Sequence, residues 1–287
     1  MNNTQQLLVS YARKIAVYRG YADLVNGLQS AARLEAKLLH EQEELQEAQA
    51  EKSRLHAYHE AADILYYAAC LQEQEQGKAA RFDESRAWLR ERGLDPAKAE
   101  RAALAKYGWR AGGPNRKDEA HELRLLVPVL YRLVIFDVDG TLVTTRSGAT
   151  FRQSAGDWQW LPGRLERCQE LAAQGVKLAL ASNQGGVAFG HLDPDAIQEE
   201  LSAVGSAIGA CSVVMCFTHP NAPLAEYRQE SPLRKPGPGM LLRIMETEQI
   251  APADALMVGD RSEDEQAARN ADIDFLWAQQ FFGEGEK

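Results

Sequence analysis

The sequence predicts two domains: an all-α helical bundle over residues 1–107 and an α/β unit with a parallel sheet over 131–287, joined by a linker at 108–130. Three observations predict this. The chain has 287 residues, about twice the ordinary domain size. Its vocabulary also changes along its length. From Thr4 to Tyr107 it is rich in Ala, Leu, Glu, Gln and Arg and meets proline only at Pro96, whereas further on short apolar runs alternate with helix-like stretches. Between the two regimes, Trp109 to Glu122 contains Ala-Gly-Gly-Pro-Asn-Arg-Lys-Asp, a turn-rich and charged run.

In the first half, helices are expected near 4–19, 21–51, 53–75, 82–92 and 96–107, with Gly77 and Gly93 as stops and Asp95-Pro96 as a start. In the second half the expected strands are Leu133-Val-Ile-Phe, Val176-Lys-Leu-Ala-Leu-Ala, Cys211 to Phe217 and Ala255-Leu-Met-Val. The stretches from Gly163 to Gln174, Pro194 to Gly209, Gly239 to Glu248 and Ser262 to Ala271 read as helices between and after them. Strands alternating with helices imply a parallel sheet covered on both faces.

Hydrophobic residues at 45% and charged residues at 25% are ordinary for a globular protein and exclude disordered, collagenous and membrane-embedded classes. A net charge of −9 argues against wrapping nucleic acid by bulk electrostatics, while leaving room for an enzyme that grips one phosphate or one strand end. Cys70, Cys168, Cys211 and Cys216 lack CxxC spacing and are too few for a disulfide scaffold, so a reducing compartment is expected. The start Met-Asn-Asn-Thr-Gln-Gln shows no signal-peptide pattern. The longest apolar stretch, Leu125 to Phe136, is broken by Pro128 and Arg132 and is too short to span a bilayer. The expectation is a cytoplasmic protein with no membrane partner.

Four strand ends in the second half carry chemistry. The first is Phe136-Asp137-Val138-Asp139-Gly140-Thr141, two carboxylates one residue apart where open α/β sheets place their active sites. Alternation sends them in different directions, so one can attack while the other manages a proton. The second strand ends in Ala181-Ser182-Asn183-Gln184-Gly185, with a hydroxyl and backbone N–H groups suited to a phosphate. Arg234-Lys235-Pro236-Gly237 holds a lysine in a rigid loop, and Gly259-Asp260-Arg261-Ser262-Glu263-Asp264 brings further acids.

Residues 133 to about 283 resemble the haloacid dehalogenase (HAD) superfamily of phosphohydrolases, matching all four of its motifs. The resemblance implies a Rossmann-like HAD fold, with Asp137 as nucleophile and Asp139 as the acid that protonates the leaving oxygen and then activates water. It implies Mg²⁺ held by Asp137, the Asp139 backbone carbonyl and Asp260, supported by Asp264, and phosphoryl oxygens bound by Ser182 and Lys235. The gaps between motifs leave no space for a large cap, so an open site is expected. The loop Thr144-Thr145-Arg146-Ser147-Gly148-Ala149-Thr150-Phe151, continuing to Asp157-Trp158, resembles the DNA 3′-phosphatase branch. It implies a nucleotide or nucleic-acid 3′-phosphate substrate, with Arg146, Asn183 and Arg234 as binding residues. Trp158 and Trp160 either stack on a base or pack the loop. Arg-Lys-Pro-x-Pro-Gly-Met is shared with histidinol-phosphate and heptose-bisphosphate phosphatases, which carry a zinc loop. Here Ser231 and Leu233 stand where the second cysteine pair would lie beyond Cys216 and His219, so no zinc is expected.

In the helical half, Glu41 and Glu44 are three apart, as are Glu60 and Asp63, so each pair shares a helical face and two antiparallel helices can gather four carboxylates around a divalent metal. Lys37, one turn earlier, shares that face and is expected to bind a substrate phosphate. Residues 34 to 75 resemble the all-α NTP pyrophosphohydrolases, including MazG-like proteins and phosphoribosyl-ATP pyrophosphohydrolase, through Lys37-x-x-His40-Glu41-x-x-Glu44 and Glu60-Ala-Ala-Asp63-Ile-Leu-Tyr-Tyr. His40 replaces the usual first acid, and Glu43-Glu44-x-x-Glu47 is an alternative register. The resemblance implies a second Mg²⁺ site, with Mn²⁺ as a substitute, on Glu41, Glu44, Glu60 and Asp63, and homo-oligomers formed through this half. Three combined readings stand: a phosphatase fused to a nucleotide pyrophosphohydrolase, a bifunctional histidine-biosynthesis enzyme, or a phosphatase with a non-catalytic helical module.

Overall fold

The computed structural model describes residues 3–19, 24–25, 28–51, 53–76, 80–113 and 116–283. The chain divides into two compact units, Met1–Leu130 and Tyr131–Lys287. The first contains α1 (Asn3–Arg19), a short antiparallel pair β1 (Leu24–Val25) and β2 (Leu28–Gln29), then α2 (Ala31–Ala50), α3 (Arg54–Gln74), α4 (Arg81–Glu91), α5 (Pro96–Arg110) and α6 (Glu119–Leu130). Ala61, Ala62, Ile64, Leu65, Ala68 and Ala69 of α3 are completely buried. A helix apolar on all sides belongs in the interior, and α1, α2, α4, α5 and α6 all pack on it. Ser53 and Asp95 cap α3 and α5 by accepting from the backbone N–H of His56 (3.3 Å) and Ala97 (2.9 Å).

Two expectations for this half need correction. The helix expected over 21–51 starts only at Ala31, because Ser30 is extended (φ −60°, ψ 151°) and follows the β1–β2 pair. Positions 20–23 and 26–27, the expected stop at Gly77, and Pro114-Asn115 of the turn-rich run lie outside the described residues. The linker expected at 108–130 is instead mostly helical: α5 runs on to Arg110 and α6 fills Glu119–Leu130. Leu123, Leu126, Val127 and Leu130 are buried at the i, i+3, i+4, i+7 spacing of a helix face. Pro128 within that run hid the period in the sequence.

Buried charge fastens α6. Arg110 donates to both Glu122 carboxylate oxygens at 2.5 and 2.6 Å, and His59 Nε2 lies 3.1 Å from Oε2. Burial opposes ionisation of Glu122, but His59 and Arg110 outweigh it and hold the carboxyl down at about 2. Glu122→Ala strands Arg110 and is expected to cost about 3–5 kcal/mol. Because the folded carboxyl sits below its ordinary 4.5, this stabilisation is fully present above that pH and fades as pH falls toward about 2. Denaturant unfolding of both proteins at pH 7, 4 and 3 checks this: the gap should narrow with acid, and equal stabilities at pH 7 would refute the anchor.

The second unit runs β3 (Leu133–Phe136), β4 (Val143–Thr144), β5 (Gln159–Trp160), α7 (Arg164–Ala173), β6 (Lys177–Asn183), α8 (Gly185–Ala188), α9 (Pro194–Ile208), β7 (Ser212–Cys216), α10 (Gly239–Glu248), β8 (Ala255–Gly259), α11 (Ser262–Asn270), β9 (Asp274–Trp277) and α12 (Ala278–Phe282). Five strands form a parallel sheet in the order β7-β6-β3-β8-β9. The chain leaves β3 to one side for β6 and β7, then returns to its other side for β8 and β9, making β3 the switch point where such sheets bind ligands. Phe136 pairs with Leu180 on one side and Val258 on the other, and β6 runs on past it to Asn183 and β8 to Gly259. On one face, Leu133, Ile135, Ala179, Ala181 and Met257 pack with Met240 and Ile244 of α10 and Ala267 of α11. The edge strand β9 and the β4–β5 hairpin were not expected: their runs are too short to show an alternating pattern. No helix among the described residues is long and apolar enough to cross a membrane.

Candidate active site

All four residues of β3 are buried, and Asp137 extends the ladder one step by donating its N–H to the Val258 carbonyl at 2.9 Å. Its carboxylate is thereby fixed at the sheet's carboxyl end, 7% exposed. Gly140 then turns the chain at φ +92°, a conformation that favours glycine, and a Cβ there would overlap the Asp260 carboxylate. Thr141, fully buried, donates to Asp260 Oδ1 at 3.3 Å. At the end of β8, Gly259 leaves room for the Asp264 side chain, whose Oδ2 accepts from Arg261 N at 3.1 Å and starts α11. Two glycines thus let the acidic groups converge: carboxylate oxygens of Asp137, Asp260 and Asp264 all lie within 4.8 Å of one another.

Lys235 enters this cluster with its Nζ 2.6 Å from Asp137 Oδ1, 2.6 Å from Asp264 Oδ1 and 2.8 Å from the Ala181 carbonyl. Its loop is pinned from β6, because Asn183 accepts from the Lys235 N–H and donates to the Lys235 carbonyl, both at 3.0 Å. Burial pushes the Asp137 carboxyl up to about 7, with Lys235 pulling the other way and Asp264 adding to the push. Burial also raises Asp260, and Asp264 reinforces it. Burial disfavours the charged form of Lys235, yet the two carboxylates win and hold its ammonium above the ordinary lysine range. One ammonium among three carboxylates leaves excess negative charge with oxygen donors, which fits a hard divalent cation.

Asp139 stands apart from that cluster. Gln184 donates to its Oδ2 at 2.6 Å and to Ser182 Oγ at 2.9 Å, and Arg152 donates to its Oδ1 at 2.8 Å. The site opens into a cleft of about 1000 Å³ lined by Asp137, Asp139, Ser182, Asn183, Arg234, Lys235, Asp260 and Asp264 together with Phe151, Phe189 and His219. Arg146 does not line it. Ser147 donates from its N–H and its hydroxyl to Asp157, both at 2.8 Å, and the turn so formed leaves Arg146 exposed. Trp158 and Trp160 pack edge-on with centroids 6.1 Å apart and also lie outside the lining. Arg152 and Phe189 are among the lining residues that motif reading missed, since tertiary folding alone brings them in, and Gln184 stood inside a singled-out strand end without a role of its own.

In the helical unit, carboxylate oxygens of Glu41, Glu44 and Glu60 lie within 4.8 Å of one another. Burial, then the Asp63 and Glu44 charges, push Glu41 up to about 9. Asp63 is engaged elsewhere: its Oδ1 meets Lys106 Nζ at 2.7 Å and the Tyr107 hydroxyl at 2.8 Å. Lys37 is half-buried over the Tyr67 ring, 5.5 Å from its centroid. Of the alternative register, Glu43 and Glu47 are exposed, and His40 lies at the surface 3.4 Å from Glu44.

The parallel sheet, the buried Asp137 carboxylate just past β3 and the lysine set among clustered acids define a HAD-type phosphatase. The family model for polynucleotide kinase 3 phosphatase matches residues 132–282, more than half of the chain. The chain belongs to the polynucleotide kinase 3 phosphatase family. The D-glycero-beta-D-manno-heptose-1,7-bisphosphate 7-phosphatase of Yersinia pestis is 30% identical over 145 residues, 49% of this chain and 76% of that protein. Its namesake from Pasteurella multocida is 31% identical over 147 residues, 50% of this chain and 78% of that protein. Among solved structures, the D,D-heptose 1.7-bisphosphate phosphatase of B. bronchiseptica, complexed with magnesium and phosphate, shares 26% identity at a TM-score of 0.43, covering 54% of this chain and 87% of its own. Residues 1–131 lie outside the family match.

Proposed function

We propose that the α/β unit hydrolyses the 3′-phosphomonoester of a nucleotide or nucleic-acid end through a covalent intermediate on Asp137. The observation that carries the chemistry is the buried Asp137 carboxylate, 2.6 Å from Lys235 and flanked by Asp260 and Asp264. An Asp137 oxygen attacks phosphorus, the ester P–O bond breaks, and the leaving oxygen takes its electron pair and a proton from Asp139. Water then gives a proton to Asp139 and attacks phosphorus; the acyl-phosphate P–O bond breaks, restoring the Asp137 carboxylate and releasing inorganic phosphate. Asp137, Asp260, Asp264 and the Asp139 carbonyl would hold Mg²⁺, which neutralises charge on the phosphoryl oxygens. Ser182 and Lys235 bind those oxygens, and Asn183 keeps the lysine loop in place.

The cleft rim supports the substrate. Phe151 is 64% exposed and Phe189 39% exposed, with Arg261 5.8 Å from the Phe151 ring centroid and His219 edge-on to Phe189 at 5.1 Å. Exposed rings on a cleft that also carries Arg261 and Arg234 suit stacking of a base and contact with a backbone phosphate. The similarity to heptose-bisphosphate phosphatases supports a second reading, a sugar bisphosphate. Phosphate release from 3′-phosphorylated oligonucleotides, nucleoside 3′-monophosphates, histidinol phosphate and heptose bisphosphate decides: the first reading requires the oligonucleotide or nucleotide to be preferred, and a preference for the sugar overturns it.

The helical unit is proposed as a nucleotide pyrophosphohydrolase with Mg²⁺ or Mn²⁺ on Glu41, Glu44 and Glu60, Asp63 supporting from its pair with Lys106, and assembly into homo-oligomers. Its carboxylate cluster supports this reading. Mn²⁺ titration of the full chain is expected to show one class of site lost in Glu60→Ala, and pyrophosphate release from NTPs should vanish with it. Unchanged metal stoichiometry, with oligomeric state also unaltered, would leave a scaffold instead.

A further inference from the structure

We propose that Arg152, on the loop between β4 and β5, is the positioning residue that aims Asp139 at the leaving oxygen. The side chain is 3% exposed and bridges two carboxylates: Nε donates to Asp139 Oδ1 at 2.8 Å and Nη1 to Glu200 Oε2 at 2.6 Å. Glu200, on α9, also accepts from the Gly156 N–H, so one carboxylate holds both the arginine and its loop. Gln184 takes the other Asp139 oxygen at 2.6 Å. Both oxygens of the acid are therefore set by donors from separate elements, one behind β6 and one on the loop. The buried Nη2 of Arg152 has no hydrogen-bond partner among the described residues. Asp139 is itself 37% exposed, so without these two donors its carboxylate has room to turn away from the ester oxygen.

The inference rests on Asp139 being the proton donor, and the test separates the two. First-turnover release of the leaving group is followed by rapid mixing of the full chain and Mg²⁺ with phenyl phosphate and with 2,4-dinitrophenyl phosphate. Phenoxide leaves as a strong base and needs the proton, whereas dinitrophenoxide does not. Asp139→Asn is expected to lose on the order of 100-fold with phenyl phosphate and little with the dinitrophenyl ester. Arg152→Gln should repeat the pattern more mildly, about tenfold against less than about threefold, with Arg152→Lys recovering part of the loss. Glu200→Gln, which removes the clamp and leaves the arginine, should show the same selective loss and serves if Arg152→Gln does not fold. Equal loss with both esters, or no loss with either, overturns the role of Arg152 while Asp139→Asn still discriminates. Failure of Asp139→Asn to discriminate overturns the underlying reading instead.

Discussion

Asp137→Asn is expected to abolish phosphatase turnover on every ester, by about 10⁴-fold or more, because an amide cannot form the acyl-phosphate bond. Folding should survive and gain. Burial raises the Asp137 carboxyl to about 7 from an ordinary 3.8, so the ionised side chain costs stability, a cost that starts as pH rises past 3.8 and is complete above about 7. In metal-free buffer the asparagine variant should therefore gain more, relative to the parent, at pH 8 than at pH 5, with Lys235 still paired to Asp264 at 2.6 Å. Thermal unfolding at the two pH values and steady-state phosphate release measure the two halves of this expectation. Turnover above about 1% of the parent would remove Asp137 from the nucleophile's role.

Lys235→Met should damage function and fold together. The ammonium lies 2.6 Å from Asp137 and 2.6 Å from Asp264, and without it two buried carboxylates face each other uncompensated. Breaking a buried pair from one side costs about 3–5 kcal/mol. Losing the positive charge at the phosphoryl oxygens should lower turnover by a further 10²- to 10³-fold, about the scale of one oxyanion donor. The stability loss should be large with a chelator and partly recovered by added Mg²⁺, since a cation among the same acids replaces the missing charge. Unfolding midpoints with and without Mg²⁺ test it; a variant as stable as the parent in chelator would show that the lysine is not what neutralises the acids.

The positions that could be read directly from the sequence are those where residue type and strand end coincide. Asp137, Ser182 and Asp260 stand at or just past the carboxyl ends of β3, β6 and β8, Lys235 lies on the loop before α10 and Asp264 in the first turn of α11, and chemistry marks each one. Arg146 and Arg152 belong to the same loop and differ only in how the loop turns. Asp157 fixes Ser147 from ten residues away, leaving Arg146 exposed, while Arg152 folds inward to Asp139 and Glu200. Nothing local encodes that choice. α6 was obscured for another reason: Pro128 and the glycine-rich run before it outweighed an apolar face that becomes visible once Glu122 is seen buried against Arg110. In the helical unit, i, i+3 spacing gathered Glu41, Glu44 and Glu60, but it carried no information about Lys106, which takes up Asp63.

A phosphoryl group carried on Asp137 can be trapped by acid quenching during steady-state turnover. Peptide mass analysis of the quenched full chain with 2,4-dinitrophenyl phosphate and Mg²⁺ is expected to find a base-labile phosphoryl group on the peptide containing Asp137, and none in Asp137→Asn. A phosphoryl group on any other residue, or turnover with no phosphorylated peptide at all, would rule out Asp137 as its carrier.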